Sequence, residues 1–306
     1  MQARGLAPRH SNSYPKQAAT TRYRPLGKQR DDVLQHGWDA GVRITSVDDS
    51  VATKALPIVL SIIAGSTDTI GFLALNGLFT AHITGNIVVL AAKLVAGEQA
   101  PISYLIAVPV FMAALALTTF LAAALERMRI ASLTPLLLLQ FILLLAFLAL
   151  CLAAGPGVDR NAAIMTLAGM LGVSAMAVQN ALVRLSLRAA PATAVMTTNI
   201  TLFTIDAAEI FLGRNASSVA DARARAKHTW PAILGFLIGC ALGVACEAAL
   251  GLKSVMLPTS LALLAVGLGL APRPARRLSP SPSSTVSLTG EDSSSRRRTR
   301  GLTDNL

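Results

Sequence analysis

Gly65–Ala96 reads GSTDTIGFLALNGLFTAHITGNIVVLAAKLVA. An apolar run carries one acid, Asp68, breaks at Asn76-Gly77, and resumes after a polar knot, His82-Ile83-Thr84-Gly85-Asn86. The second run is too short to cross a bilayer comfortably, because a spanning helix needs about 20 apolar residues. A weaker copy returns as Ala194-Val195-Met196-Thr197-Thr198-Asn199-Ile200. Aligning Asn86 on Asn199 pairs Ala81 with Ala194, Thr84 with Thr197 and Ile87 with Ile200, and both copies hold the same place in their half of the chain.

Outward from this stretch the composition is that of a membrane protein. Of 306 residues, 53% are hydrophobic and 14% charged, where a soluble domain carries about 25% charged residues. The charge is segregated into residues 1–54 and 272–306, while 55–271 is a succession of apolar runs such as Leu133–Ala154. This predicts an all-α polytopic membrane domain over 55–271, with the lipid bilayer as its first partner. The net charge of +11 does not signify nucleic acid, because no basic helix is interleaved with aromatics. Cys151, Cys240 and Cys246 lie in apolar runs without metal-ligand spacing, so neither metal nor cofactor is expected. GxxxxGK[ST], HExxH, CxxC and GxSxG are all absent, which argues against an enzyme.

Residues 1–54 read as a disordered basic tail and 272–306 as a disordered Ser/Pro/Arg-rich one, too poor in apolar residues to fold. Between them lie eight apolar segments, near 56–75, 83–97, 102–125, 133–154, 161–183, 194–212, 231–250 and 254–271. Pro57, Pro135 and Pro231 stand at segment starts, where a missing N–H costs little. Pro109 and Pro258 fall inside segments, where kinks are expected.

The positive-inside rule arbitrates the topology. If all eight segments span, Arg127, Arg129, Arg184, Arg188 and Lys253 fall outside, against Arg160, Arg214, Arg223, Arg225 and Lys227 inside. If the second and sixth instead enter and leave by one side, only Arg160 and Lys253 remain outside. The expectation is therefore six spans plus two short re-entrant, half-helix segments, with both tails cytoplasmic. Three spans per half make the halves, about 55–154 and 161–271, an inverted 3+3 repeat, the pattern of secondary transporters. Non-helical backbone at membrane depth survives only where protein or water satisfies it.

Asp68 is the sharpest candidate, because an intramembrane acid is costly and marks pathways or proton relays. It reads equally as a structural acid capping the half-helix that opens at Thr84. Gly65 and Gly71 leave room beside it for a neighbouring backbone or an ion. Thr84, Gly85, Asn86, Thr197, Thr198 and Asn199 read either as helix caps or as the lining of a substrate or ion site. Lys93 and Asp206 lie at equivalent repeat positions and form a candidate axial ion pair, although Lys93 also reads as snorkelling. Asp206 and Glu209 share a face near the basic stretch 213–229, where an interfacial pair would satisfy them. Gln140, Gln179 and Asn180 read as interhelical glue. His82 reads as an interfacial residue or a protonation switch.

At these residues the chain resembles the YoaK-like bacterial inner-membrane proteins, a family whose domain has no assigned function. The matching features are Ile63-Ala64-Gly65, Asp68, Gly71-Phe72, Gly77-Leu78-Phe79 and His82–Asn86, then Ala175–Asn180 and Met196-Thr197-Thr198-Asn199. Thr198 stands where that family usually has a second glycine. The resemblance covers roughly 55–271 and implies a six-span, multi-pass protein of the bacterial inner membrane. The functional expectation is secondary transport of a small solute or ion, proton-coupled through Asp68. The alternative is a non-transporting scaffold or assembly protein, and self-association as a homo-oligomer stays open.

Overall fold

A computed structural model describes residues 51–98, 101–155, 157–159, 162–213 and 215–271. Every regular element among them is helical: α1 Val51–Ala74, α2 Ile83–Val95, α3 Ile102–Arg127, α4 Leu133–Ala154, α5 Ala163–Ser186, α6 Met196–Leu212, α7 Ala216–Leu250 and α8 Met256–Leu270, with a 3₁₀ turn, Gly251–Val255, joining the last two. Five helical stretches are long and apolar enough to cross a membrane: Lys54–Ala74, Ile102–Arg127, Leu133–Ala154, Ala163–Ser186 and the run Ala216–Leu270. Large apolar side chains such as Leu105, Met112, Leu117 and Phe120 cover the outer face of α3, as lipid contact requires. The chain is a multi-pass membrane protein whose described residues form no regular element but helix. The tail expected over 1–54 gives way to α1 at Val51; the disorder expected of the remaining tail residues, and the loop charges Arg160 and Arg214, lie outside the described residues.

The helices begin and end where local chemistry dictates. Asn76 and Gly77 both adopt positive φ, +58° and +90°, conformations that Gly takes freely and Asn tolerates, so α1 stops there and the chain turns back. Helix α2 is 13 residues long, or about 20 Å at 1.5 Å per residue, against a core of about 30 Å. Three boundaries depart from expectation. Helix α7 begins at Ala216, so the stretch read as a basic loop over 213–229 is mostly helix and Pro231 sits inside it. The reason is composition: ADARARAK is built from strong helix formers. Pro57 likewise falls inside α1, whereas Pro258 lies in the first turn of α8, where its missing N–H costs nothing.

Helices α1 and α5 form the buried centre, with Leu60, Ile63, Val173, Ala175 and Met176 excluded from the surface. Gln179 of α5 joins the two, its Nε2 donating to Leu60 O at 2.8 Å, while Gly169, ten residues earlier on α5, faces Leu75 and Leu78 just past the end of α1. Early residues of α1 thus meet late residues of α5, so the two run in opposite senses. Helix α4 runs opposite to α5, through Ser132–Ser186 and Gln140–Gln179. It also runs opposite to α8, through Thr134–Gly269 and Thr259–Leu144.

Helices α1 and α7 run in the same sense, with Gly235, Gly239 and Gly243 set against Ile58, Ile62 and Ser66. Without a hydrophobic drive between helices in lipid, close backbone packing at small residues holds them together. A Cβ at Gly239 would overlap the Ile62 carbonyl, and one at Gly65 the Phe236 carbonyl. The room foreseen beside Asp68 is therefore filled at Gly65 by the backbone of α7 and at Gly71 by Leu78 and Thr80 of the loop that follows α1.

Candidate functional site

Asp68 lies in the C-terminal third of α1 and is buried. Beyond Gly77 the chain descends alongside the helix it has just left, and the descent ends at Asp68. Oδ1 accepts from the backbone N–H groups of Thr80 (2.8 Å), Ala81 (2.7 Å) and His82 (3.3 Å). Oδ2 lies 2.5 Å from His82 Nδ1. Bonds of this kind to an ionised group are shorter and stronger than neutral ones, and they offset the cost of a carboxylate at this depth. The acid anchors the loop that delivers α2, whose own first turn has no side-chain cap.

The ring of His82 stands edge-on to Phe79 and Phe236, with centroids 6.1 and 5.7 Å away. Its side chain keeps 41% of its exposure and borders a cavity of about 500 Å³ between α1, α2 and α7, together with Asp68, Thr84 and Gly85. Phe72, Phe236 and Val244 are among its apolar walls.

Asn86 does not cap α2. It sits inside the helix, fully buried, and clamps the descending loop: Oδ1 accepts from Phe79 N–H and Nδ2 donates to Phe79 O, both at 2.8 Å. In the second half Asn199 Nδ2 donates to Ala192 O at 2.6 Å. Both asparagines reach the carbonyl seven residues upstream, so the alignment of Asn86 on Asn199 holds for the bond as well as for the letters. Thr80 and Thr193 are equivalent under that alignment. Thr80 N–H donates to Asp68, and Thr193 Oγ1 accepts from Gln179 Nε2 at 2.9 Å. Gln179 also accepts from Gln140 Nε2 at 2.7 Å. It thus ties three helices and a loop, and it meets the second-half loop at Thr193 as Asp68 meets the first-half loop at Thr80, although the alignment sets Ala181, not Gln179, opposite Asp68.

The other candidates disperse. Thr197 and Thr198 are exposed on α6, and Asn180 Nδ2 donates to Met176 O one turn back. Lys93 and Asp206 do not pair with each other. Lys93 binds Glu98 at 3.0 Å, and Asp206 binds Arg225 at 2.7 Å, with Glu209 on the same guanidinium at 3.1 Å. The physical reason is proximity: each charge finds its partner on the neighbouring turn or helix of its own half. Sequence reading missed the contact between His82 and Asp68, yet the Asn-Gly break contained its signal. Six helical residues from Asp68 to Ala74 climb about 9 Å, and about three non-helical residues past the turn at Asn76-Gly77 can descend about 10 Å, which returns residues 80–82 to the level of Asp68. Tyr104, whose hydroxyl donates to Asn76 O, gave no such signal. That bond sets the start of α3 level with the end of α1.

Residues 56–268 match the family described as "Protein of unknown function (DUF1275)". The chain belongs to that family. The DUF1275 match takes in α1 from its second turn, both short helices and most of α8, so Asp68, His82, Asn86, Gln179 and Asn199 all fall within it. No curated protein and no solved structure matches this DUF1275 chain.

Proposed function

We propose that the protein is a secondary transporter of a small solute, proton-coupled at the Asp68 site. It sits in the bacterial inner membrane as a YoaK-like protein, with six crossings, two oppositely inserted halves and both tails cytoplasmic. The observation that carries this reading is the pair of matched clamps, Asn86 on Phe79 and Asn199 on Ala192, each holding a dipped loop ahead of a short helix. Discontinuous helices at equivalent positions of two repeats are where transporters place their sites. Helix senses lend support: α1 opposes α5, and α4 opposes α8. In an eight-crossing chain both pairs would share a direction.

The scaffold reading has one observation in its favour, because no buried side-chain N or O among the described residues lacks a hydrogen-bond partner. Reconstitution into vesicles loaded with a pH-sensitive dye separates the two. A solute from a metabolite panel that moves protons with wild type and not with Asp68→Asn supports transport. Absence of flux with every solute, from protein whose fold is verified by its melting profile, supports the scaffold.

A further inference from the structure

We infer that the cavity beside His82 is a binding site for small lipophilic monocarboxylic acids, with the proton carried on His82 Nε2. The inference rests on the transport reading for its physiological meaning and on the cavity for its chemistry. Asp68 is committed, one oxygen to three backbone donors and the other to His82 Nδ1. With Nδ1–H donated to the carboxylate, Nε2 is the basic nitrogen, and it has no partner among the described residues. The titratable groups that border the cavity are Asp68 on α1, His82 ahead of α2 and the Cys240 thiol on α7. The walls are otherwise mainly apolar, with Phe72, Phe236 and Val244 placed to take a hydrocarbon or aromatic substituent.

A protonated acid, RCOOH, donates its O–H to Nε2. The proton passes to nitrogen and the carboxylate stays on Nε2–H, while Asp68 balances the imidazolium. Acid and proton enter together as a neutral pair, so the apolar walls receive no net charge. An amine would bring a second cation to a carboxylate already paired. An alcohol would gain a hydrogen bond but no proton transfer. Volume sets the scale, since about 500 Å³ lies within the usual range for small-molecule sites.

Cys240 lines the cavity and reports its occupancy. The purified full-length protein in lipid nanodiscs is alkylated with N-ethylmaleimide, and the Cys240 adduct is followed by mass spectrometry with benzoate, benzyl alcohol or benzylamine present. Benzoate is expected to slow alkylation at least five-fold, more at pH 6 than at pH 8, with each rate compared to its own ligand-free control. The alcohol and the amine are expected to leave it unchanged. His82→Asn keeps an amide donor for Asp68 and removes Nε2, so protection should vanish. Should that variant fail to fold, calorimetry of wild type in buffers of different ionisation enthalpy must show one proton taken up per benzoate. Equal protection by benzyl alcohol, protection by benzylamine, a Cys240 inert in all conditions, or benzoate binding without proton uptake each overturns the inference. Benzoate protection without any vesicle flux would keep the site and remove transport. Proton-coupled flux of another solute without benzoate protection would do the reverse.

Discussion

At the scale of single residues, two side-chain types fix this molecule: glycines where helices touch, and amides where the chain dips. Gly239 sits against the Ile62 carbonyl, with no space for a Cβ. Gly239→Ala should therefore lower the melting temperature in detergent, at an overpacking cost of about 1–3 kcal/mol. Gly267 has nothing within 4 Å, so Gly267→Ala should leave stability level or raise it by about 0.5–1 kcal/mol, the helical penalty of glycine. Equal effects of the two would mean that the α1–α7 contact is not tight. Asn86→Ala strands both polar groups of Phe79 and should cost about 2–3 kcal/mol. Asn199→Ala strands one carbonyl and should cost about half as much, measured in the same melting series. The equivalence of Asn86 and Asn199 was legible from sequence, because a repeat keeps its anchor residues when the surrounding letters drift. Their role was not, since a cap and a clamp draw on the same amide and differ only in where the preceding loop runs.

At the scale of elements, charge pairing is local, and this alters what double mutants should show. Arg225 on α7 holds Asp206 and Glu209 on α6. Asp206→Ala and Arg225→Ala should therefore be non-additive, with the double variant melting close to the worse single one. Lys93→Ala and Asp206→Ala, which share no partner, should be additive within about 0.5 kcal/mol. A coupling between Lys93 and Asp206 would restore the axial pair that the geometry lacks. The start of α7 illustrates why element boundaries were harder to read than element number. The apolar pattern resumes only near Pro231, but helix continuity there comes from Ala, Arg and Lys propensity, which hydropathy does not register. The 35 residues of α7 reach about 52 Å, beyond a core of about 30 Å. In the proposed topology its first turns, with Arg223, Arg225 and Lys227, project into the cytoplasm, where basic residues concentrate.

At the scale of the whole molecule, the decision between six crossings and eight turns on which side each connection faces. Loop charges pointed to six, and the senses of α1, α4, α5 and α8 lean the same way, as does the bond from Tyr104 to Asn76 that sets the start of α3 level with the end of α1. Single cysteines at Ala96, Ala131 and Asn215, all exposed, give a test independent of both arguments. The background carries serine at 151, 240 and 246, and intact cells are treated with a membrane-impermeant maleimide before and after permeabilisation. With six crossings, Ala96→Cys is labelled from outside, while Ala131→Cys and Asn215→Cys react only after permeabilisation. With eight, Ala96→Cys and Asn215→Cys share a side and Ala131→Cys stands alone on the other. The second pattern would turn α2 and α6 into full crossings. The dipped loops would then lose their meaning as linings of a shared site, and transport would have to be argued from other residues. The first pattern would leave Asn86 and Asn199 as matched clamps in two opposed halves, one beside an acid that faces a cavity, the other beside a buried amide. In the proposed carrier that asymmetry would set the proton site in one half and a structural tie in the other.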